Sequence, residues 1–348
     1  MFILYSILLF SFLIFIHEFG HFITAKLSGV QVNEFAIFMG PAIFKKQIGE
    51  TLYSIRLIPI GGYCAMEGED EETENPRSFR SAKWWKRLII LVAGAAMNFI
   101  VGIALFFVVF ATEEAIITPV ISQSEVGCTI VREDGLHVGD RFLEINGERV
   151  YVFDDFSMLM SFSDDTPDLV VERDGKKISF ENYPMEKHIF NDEKTARYGI
   201  SFAVEENNFF NCVSYTCNYA IDMVRNVRMS LSMLLTGKAG IQDLTGPVGI
   251  VQVMSTTASQ AQSPMAAFMT ILLFGGFLGI NLAVMNLLPI PALDGGRIVG
   301  LLLTTAFEAI TKKKINPKVE AYIHGIGMVL LLGLMAVILF KDVIFLFK

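Results

Sequence analysis

Four stretches of the chain are apolar over about the roughly 20 residues a helix needs to cross a bilayer core. They run from Phe2 to Lys26, Leu88 to Ala111, Met265 to Pro291 and Tyr322 to Phe345. Between the first two, residues 27–87 are too polar to cross. There, Thr51–Leu57 alternates, with Leu52, Ser54 and Arg56 on one face and Tyr53, Ile55 and Leu57 on the other. Together with Ile43–Gln47 and the Gly49-Glu50 break, this predicts a β-hairpin that Pro59, Gly61 and Gly62 end. Residues 115–205 read as short alternating strands. Within them Phe142, Leu143 and Ile145 run into Asn146-Gly147, a dipeptide that favours a tight reversal. From Asn218 to Leu235 apolar residues recur at helical spacing, which suits either a helix lying on the membrane surface or one packed on the preceding domain. Leu244-Thr245-Gly246-Pro247-Val248-Gly249 breaks that pattern within the 206–262 connector.

Composition agrees with a multi-span chain: 53% of the 348 residues are hydrophobic, 18% are charged and the mean hydropathy is +0.50. The expected fold class is a polytopic α-helical membrane protein with a membrane-associated β-hairpin and an inserted β-rich domain. The segments are 1–26, 27–87, 88–111, 115–205, 206–262, 265–296, 297–321 and 322–345. Lysines and arginines crowd the segments after the first and third spans, and basic flanks stay cytoplasmic. Both termini and residues 112–262 are therefore expected outside the cell membrane. The first span has neither the basic start nor the small-residue cleavage site of a removable leader. No basic, aromatic-interleaved surface suggests nucleic acid. Cys64, Cys128, Cys212 and Cys217 form no CxxC pair; Cys212 and Cys217 could pair, or all could be free thiols.

The chemistry concentrates in His17-Glu18-Phe19-Gly20-His21. On a helix His17 and His21 share a face one turn apart and can reach one metal, with Glu18 beside them to take a proton from water. Residues 2–16 carry no charge, and ionisable groups inside a membrane helix are costly by at least ~2.5 kcal/mol. Their presence there points to function. The third ligand candidate is Asp294, after Pro289 and Pro291, which end a regular helix. Asp294 could instead cap the helix that follows. The charge pattern decides, because it places His17 and Asp294 at similar depth near the cytoplasmic face. A metal-binding transporter or sensor would also need these ligands but has no use for Glu18. A membrane-anchored scaffold would need none of them.

Gly135-Leu136, Gly139-Asp140 and Ile145-Asn146-Gly147 resemble a PDZ domain. HExxH in the first span, that insert, and Asn286-Leu287-Leu288-Pro289-Ile290-Pro291-Ala292-Leu293-Asp294-Gly295 together resemble the site-2 protease family of intramembrane zinc metalloproteases, peptidase family M50. The likeness is strongest to its bacterial branch, which cuts anti-sigma factors and remnant signal peptides. Met97-Asn98-Phe99 and Gly246-Pro247-Val248-Gly249-Ile250 add to it. Phe38-Met39-Gly40-Pro41 departs from the family's usual Gly-Phe-Gly-Pro. The resemblance implies a Zn2+ cofactor on His17, His21 and Asp294, Glu18 as catalytic base and Asn286 holding the substrate backbone. The implied partners are the lipid bilayer and single-span membrane proteins cut within their span. A helical substrate must unwind, and the 43–57 hairpin offers an edge to pair with, with Tyr53, Ile55 and Leu57 as expected contacts. The PDZ-like domain would bind a peptide or exclude bulky ectodomains.

Overall fold

The computed structural model describes residues 2–69, 73–189, 196–240, 245–312 and 317–346. Parts of the expected segments lie outside these: residues 70–72 of segment 27–87, 190–195 of segment 115–205, 241–244 of the connector and 313–316 of segment 297–321. The chain divides into two compact units, one made of Met1–Phe106 and Asn226–Lys348, the other of Phe107–Arg225.

The first unit holds the apolar helices α1 (Phe2–Ser28), α2 (Trp84–Phe110), α6 (Pro264–Asn286) and α8 (Pro317–Leu346). Each contains a stretch long and apolar enough to cross a membrane. Helix α1 ends where a left-handed residue is needed. Gly29 takes φ +82°, and its N–H and that of Val30 bond back to the carbonyls of Lys26 at 3.1 Å and Ala25 at 2.9 Å. This is the glycine C-cap pattern of a helix that stops sharply. Helix α6 starts on Ser263, whose side chain accepts from the Ala266 N–H at 3.1 Å, with Pro264 in the first turn. Proline is tolerated there because that N–H has no helical partner.

Between α1 and α2 lie the strands β1 (Val32–Ile48) and β2 (Thr51–Met66), longer than the expected hairpin. Pro59, Gly61 and Gly62 do not end the sheet; β2 runs through them and returns. Residues Glu34 to Ile37 pair with Ala65 to Gly62 on one side and with Leu52 to Ile55 on the other, while Phe44 to Ile48 pair with Ile55 to Thr51. The two long strands thus form four side-by-side segments in the order 44–48, 51–55, 34–37 and 62–66. Segment 51–55 is flanked on both sides and is not an edge, contrary to the sequence expectation. Alternation reports a strand's faces but not its neighbours, so the return of 62–66 onto 34–37 was invisible. Glu34 ties the layers together through Ser54 at 2.6 Å and Arg56 at 2.8 Å. Phe38 takes φ +71° at the position where the family pattern carries glycine, a left-handed backbone that bulky side chains rarely adopt.

Phe15, Phe19, Phe22, Phe35 and Tyr53 stack where α1 meets the sheet, packed against a buried cluster that includes Ala25, Val32, Ile90 and Leu301. One helix was not expected, and another was only an alternative. Helix α5 (Pro247–Ser259) follows directly on the Gly-Pro break, and α7 (Asp294–Thr311), a helix weighed only as the alternative role of Asp294, occupies much of segment 297–321, expected as a loop. Proline and glycine marked a helix start at 246–247, not an interruption. Helix α5 buries Met254 and Ala258 in a second cluster with Leu9, Leu13, Ala267 and Ile271.

The second unit contains β3 (Ala115–Ser124), β4 (Arg141–Ile145), β5 (Glu148–Arg149), helix α3 (Phe153–Ser161), β6 (Leu169–Arg173), β7 (Lys176–Phe180), β8 (Ile200–Glu206) and the start of α4 (Phe209–Leu235). Its sheet runs β7-β6-β4-β3-β8, with β5 paired to β4. Asn146 and Gly147 form the β4–β5 reversal with φ +50° and +77°, as a two-residue hairpin turn requires. Helix α4 is longer than its periodic stretch. Asp155 and Asp222 are both buried against Arg225, whose guanidinium bonds to each. Cys212 and Cys217 are free, one buried and one exposed; five residues apart on one helix, they point in different directions.

Candidate metal centre

Helix α1 sets His17 and His21 one turn apart, with their Nε2 atoms 3.2 Å from each other and the rings nearly perpendicular. Asp294 comes from the other end of the chain. Helix α6 stops at Asn286, and residues 287–293 turn without helical pairing before α7 begins. Ala292 takes φ +81° there, and an added side chain on Gly295 would collide with the carbonyls of Leu287 and Leu288. Two prolines and a glycine pair therefore fold the segment back on itself and deliver Asp294 at the first turn of α7. Its Oδ2 lies 3.1 Å from His17 Nε2 and 3.3 Å from His21 Nε2. Among the described residues this is the group of histidine, cysteine and carboxylate side chains close enough to hold one metal.

The protonation pattern tests whether a cation fits. His21 Nδ1 is 2.8 Å from the Ile90 carbonyl. A carbonyl only accepts, so Nδ1 carries a proton, and in the neutral ring that a metal ligand must be the lone pair is left on Nε2, facing Asp294. Asp294 Oδ2 is buried and satisfies no hydrogen-bond geometry despite its closeness to both rings. Lone pairs converging on a buried carboxylate repel one another unless a cation sits among them. Two imidazole nitrogens and one carboxylate oxygen suit zinc, whose catalytic sites keep three protein ligands and an open position. The carbonyl behind His21 fixes ring orientation in the manner usual for metal-bound histidine.

The neighbouring helix makes room for this arrangement. A methyl group on Gly94 would overlap His21 Nε2 and stand 2.8 Å from His17 Cε1. One on Gly20 would strike the Ala93 carbonyl and lie 2.9 Å from Met97 Cγ. Helices α1 and α2 therefore meet backbone to backbone, as small residues allow in membranes. Glu18 points toward the sheet: the Cys64 backbone amide lies close enough to act on its carboxylate, and a Cβ on Gly62 would stand 3.7 Å from its Cγ. The segment beside Glu18 is thus 62–66, one of the two outer segments of the sheet.

The other expected site residues divide. The Asn286 carboxamide is 3.5 Å from His17 Nδ1, so it borders a ligand candidate. Tyr53 packs against Phe22 and Phe35, with ring centroids at 5.9 and 6.4 Å, and belongs to the core. Ile55 and Leu57 are exposed, but Ile55 sits on a strand paired on both sides. Sequence reasoning missed Gly94, the Ile90 carbonyl and the Cys64 amide. Only Gly94 left a trace, as the smallest residue of Ala93-Gly94-Ala95 within an apolar helix.

Known proteins match this chain over nearly its full length. A candidate zinc metalloprotease of Clostridium perfringens is 35% identical, with 99% of each chain covered. The regulator of sigma-W protease RasP of Bacillus subtilis is 27% identical, and zinc metalloprotease RasP of Bacillus licheniformis 28%, each covering 97% of both chains. The family model for peptidase family M50 matches residues 5–334, a span that takes in both halves of the metal centre, and the chain belongs to that family.

Proposed function

We propose that this protein is an intramembrane zinc endopeptidase that cuts single-span membrane substrates within their spans. The observation that carries this reading is the convergence of His17 Nε2 and His21 Nε2, from an apolar helix, with Asp294 Oδ2 just beyond another, and Glu18 alongside. Bound zinc supplies Lewis acidity toward a peptide carbonyl and makes water acidic near neutral pH. Glu18, alongside the ligands, would accept a proton from the attacking water and hand it to the leaving nitrogen. Asn286 borders His17 with its Nδ2 3.5 Å from Nδ1; with the carboxamide turned over, its oxygen would accept the Nδ1 proton and leave Nε2 free for the metal. The names of the RasP relatives favour sigma-factor regulation, through anti-sigma factors or remnant signal peptides, as the substrate class.

A scissile bond must be extended to be attacked, and an exposed strand edge can hold it so. We assign that role to 62–66 and not to 51–57, because 62–66 is the outer segment that lies beside Glu18. The basic flanks support a cell-membrane topology with both termini and residues 115–205 outside and the centre toward the cytoplasmic face. For the inserted domain a PDZ-like role is supported by β8, an end strand of its sheet, whose Phe202 packs on Phe153 and Phe156 of α3. An edge strand beside a helix is where such domains add a peptide.

The decisive experiment expresses the chain with a single-span test substrate and compares wild type with Glu18→Gln. Cleavage is expected to fall by at least about 10²-fold, the scale of a lost general base, with zinc retained by elemental analysis. Equal processing by both would sink the reading.

A further inference from the structure

Helix α8 is the least embedded of the four candidate spans: only 6% of its apolar stretch is buried, against 22–39% for the others. Among the described residues, two close approaches hold it. At one, Gly327 lies on the segment that leads into Asp294; an added Cβ would fall 2.8 Å from the carbonyl carbon and oxygen of Pro291. At the other, Asp342 is buried, 6% exposed, and its Oδ2 accepts the Gly249 N–H at 3.0 Å. Gly249 lies in the first turn of α5, behind the N-cap Gly246 and Pro247. Those amides have no partner within their own helix, and the helix end carries partial positive charge. Asp342 thus caps α5 from another helix. Gly246 is needed for the approach: a Cβ there would stand 2.6 Å from Asp342 Oδ2 and 2.6 Å from Ile338 Cγ2, whereas one on Gly249 would make ordinary contact with the same oxygen at 3.5 Å. Lys341 Nζ is 3.8 Å from the other oxygen, Oδ1.

A carboxylate in an apolar span is costly unless something satisfies it, and here the α5 terminus does so. Gly327 and Asp342 are separated by about 22 Å along the helix at 1.5 Å per residue, so the two holds lie toward opposite ends of the span. Helix α5 in turn packs through Met254 and Ala258 on Leu9 and Leu13 of α1, ahead of His17 and His21. We propose that Asp342 is a positioning residue: by capping α5 it seats the fourth span, and through Gly327 on Pro291 the seated span steadies the backbone that presents Asp294. The part concerning Asp294 rests on the metalloprotease reading. The seating of α8 does not.

The test uses the full-length chain in lipid nanodiscs, with a small diazirine side chain introduced at Ile338 or Phe340. Ile338 faces Gly246, whereas Phe340 is 69% exposed on the face left to lipid. Irradiation should link position 338 to the start of α5 at least tenfold more than position 340, which should link to lipid. Asp342→Leu should abolish that difference while leaving the lipid adducts at 340 unchanged, which also reports that the span is still inserted. Asp342→Asn keeps an oxygen that can accept the Gly249 N–H and should hold linkage from position 338 within threefold of the parent. Linkage to α5 that persists in Asp342→Leu would overturn the proposal, and so would Asp342→Asn behaving like Asp342→Leu. Loss of zinc to a chelator, followed without the diazirine, should be at least tenfold faster in Asp342→Leu and unchanged in Asp342→Asn. Unchanged loss in both would overturn the link to Asp294. A parent chain that holds no zinc would instead defeat the metalloprotease reading, while the cross-linking still decides the role of Asp342.

Discussion

The residues that define the centre are two kinds of group doing opposite things. His17, His21 and Asp294 bring lone pairs together, and Gly94 and Gly20 bring nothing, which is their contribution. Because a methyl at position 94 would occupy the space of both imidazoles, Gly94→Ala must push the rings apart or the helices away from each other. Overpacking of this kind usually costs 1–3 kcal/mol, which α1 and α2 can absorb without unfolding, but ligand atoms need placement to a few tenths of an ångström. Gly94→Ala is therefore expected to reduce zinc content and cleavage at least tenfold while leaving the chain folded and inserted. Full zinc occupancy in the purified variant would show that the rings have room the geometry does not provide.

At the scale of elements, the sheet between α1 and α2 has two outer segments, 44–48 and 62–66, and only one adjoins Glu18. A photo-crosslinking residue at Ala65, in a Glu18→Gln background that retains substrate, is expected to capture the substrate's span. The same probe at Lys45 is expected not to. Capture at Lys45 alone would move the substrate to the opposite edge. Proline substitution along 51–55 would not discriminate, because those residues pair on both sides and a proline there breaks the sheet itself. The root of this sheet is tied to α1 by Glu50, which bonds Lys26 at 2.7 Å and Arg77 at 2.6 Å. The arginine and lysine beside it hold its carboxyl down at about 2.

For the molecule as a whole, the two units should respond differently to pH. In the second, burial and the neighbouring Asp155 carboxylate push Asp222 up to about 8, with Arg225 opposing them. A carboxyl whose folded pKa lies above its unfolded value of about 3.9 binds a proton that the unfolded chain does not. Stability then falls as pH rises from about 4 through 8. Asp222→Asn should remove that dependence, and hydrogen exchange of the 107–225 unit between pH 5 and 8 reads it, after correction for intrinsic rates. An unchanged slope in the variant would locate the titrating group elsewhere. The sequence by itself determined the four spans, because length and hydropathy are local quantities that a bilayer reads directly. It also determined the His17-Glu18-His21 face, because a helix fixes which residues share a side, and the turn at Asn146-Gly147, because few residues tolerate a left-handed backbone. The break after Asn286 was legible for the same reason: proline removes a donor wherever it stands. Only the tertiary structure decided that segment 62–66 is the edge beside Glu18 and that Tyr53 is core. It alone showed that Gly94 clears space for the imidazoles, that Ile90 orients His21 and that Asp342 caps α5. Each of these depends on which segments become neighbours across tens or hundreds of residues, and backbone amides and carbonyls, identical at nearly every position, leave no mark in the sequence of the partner they will find.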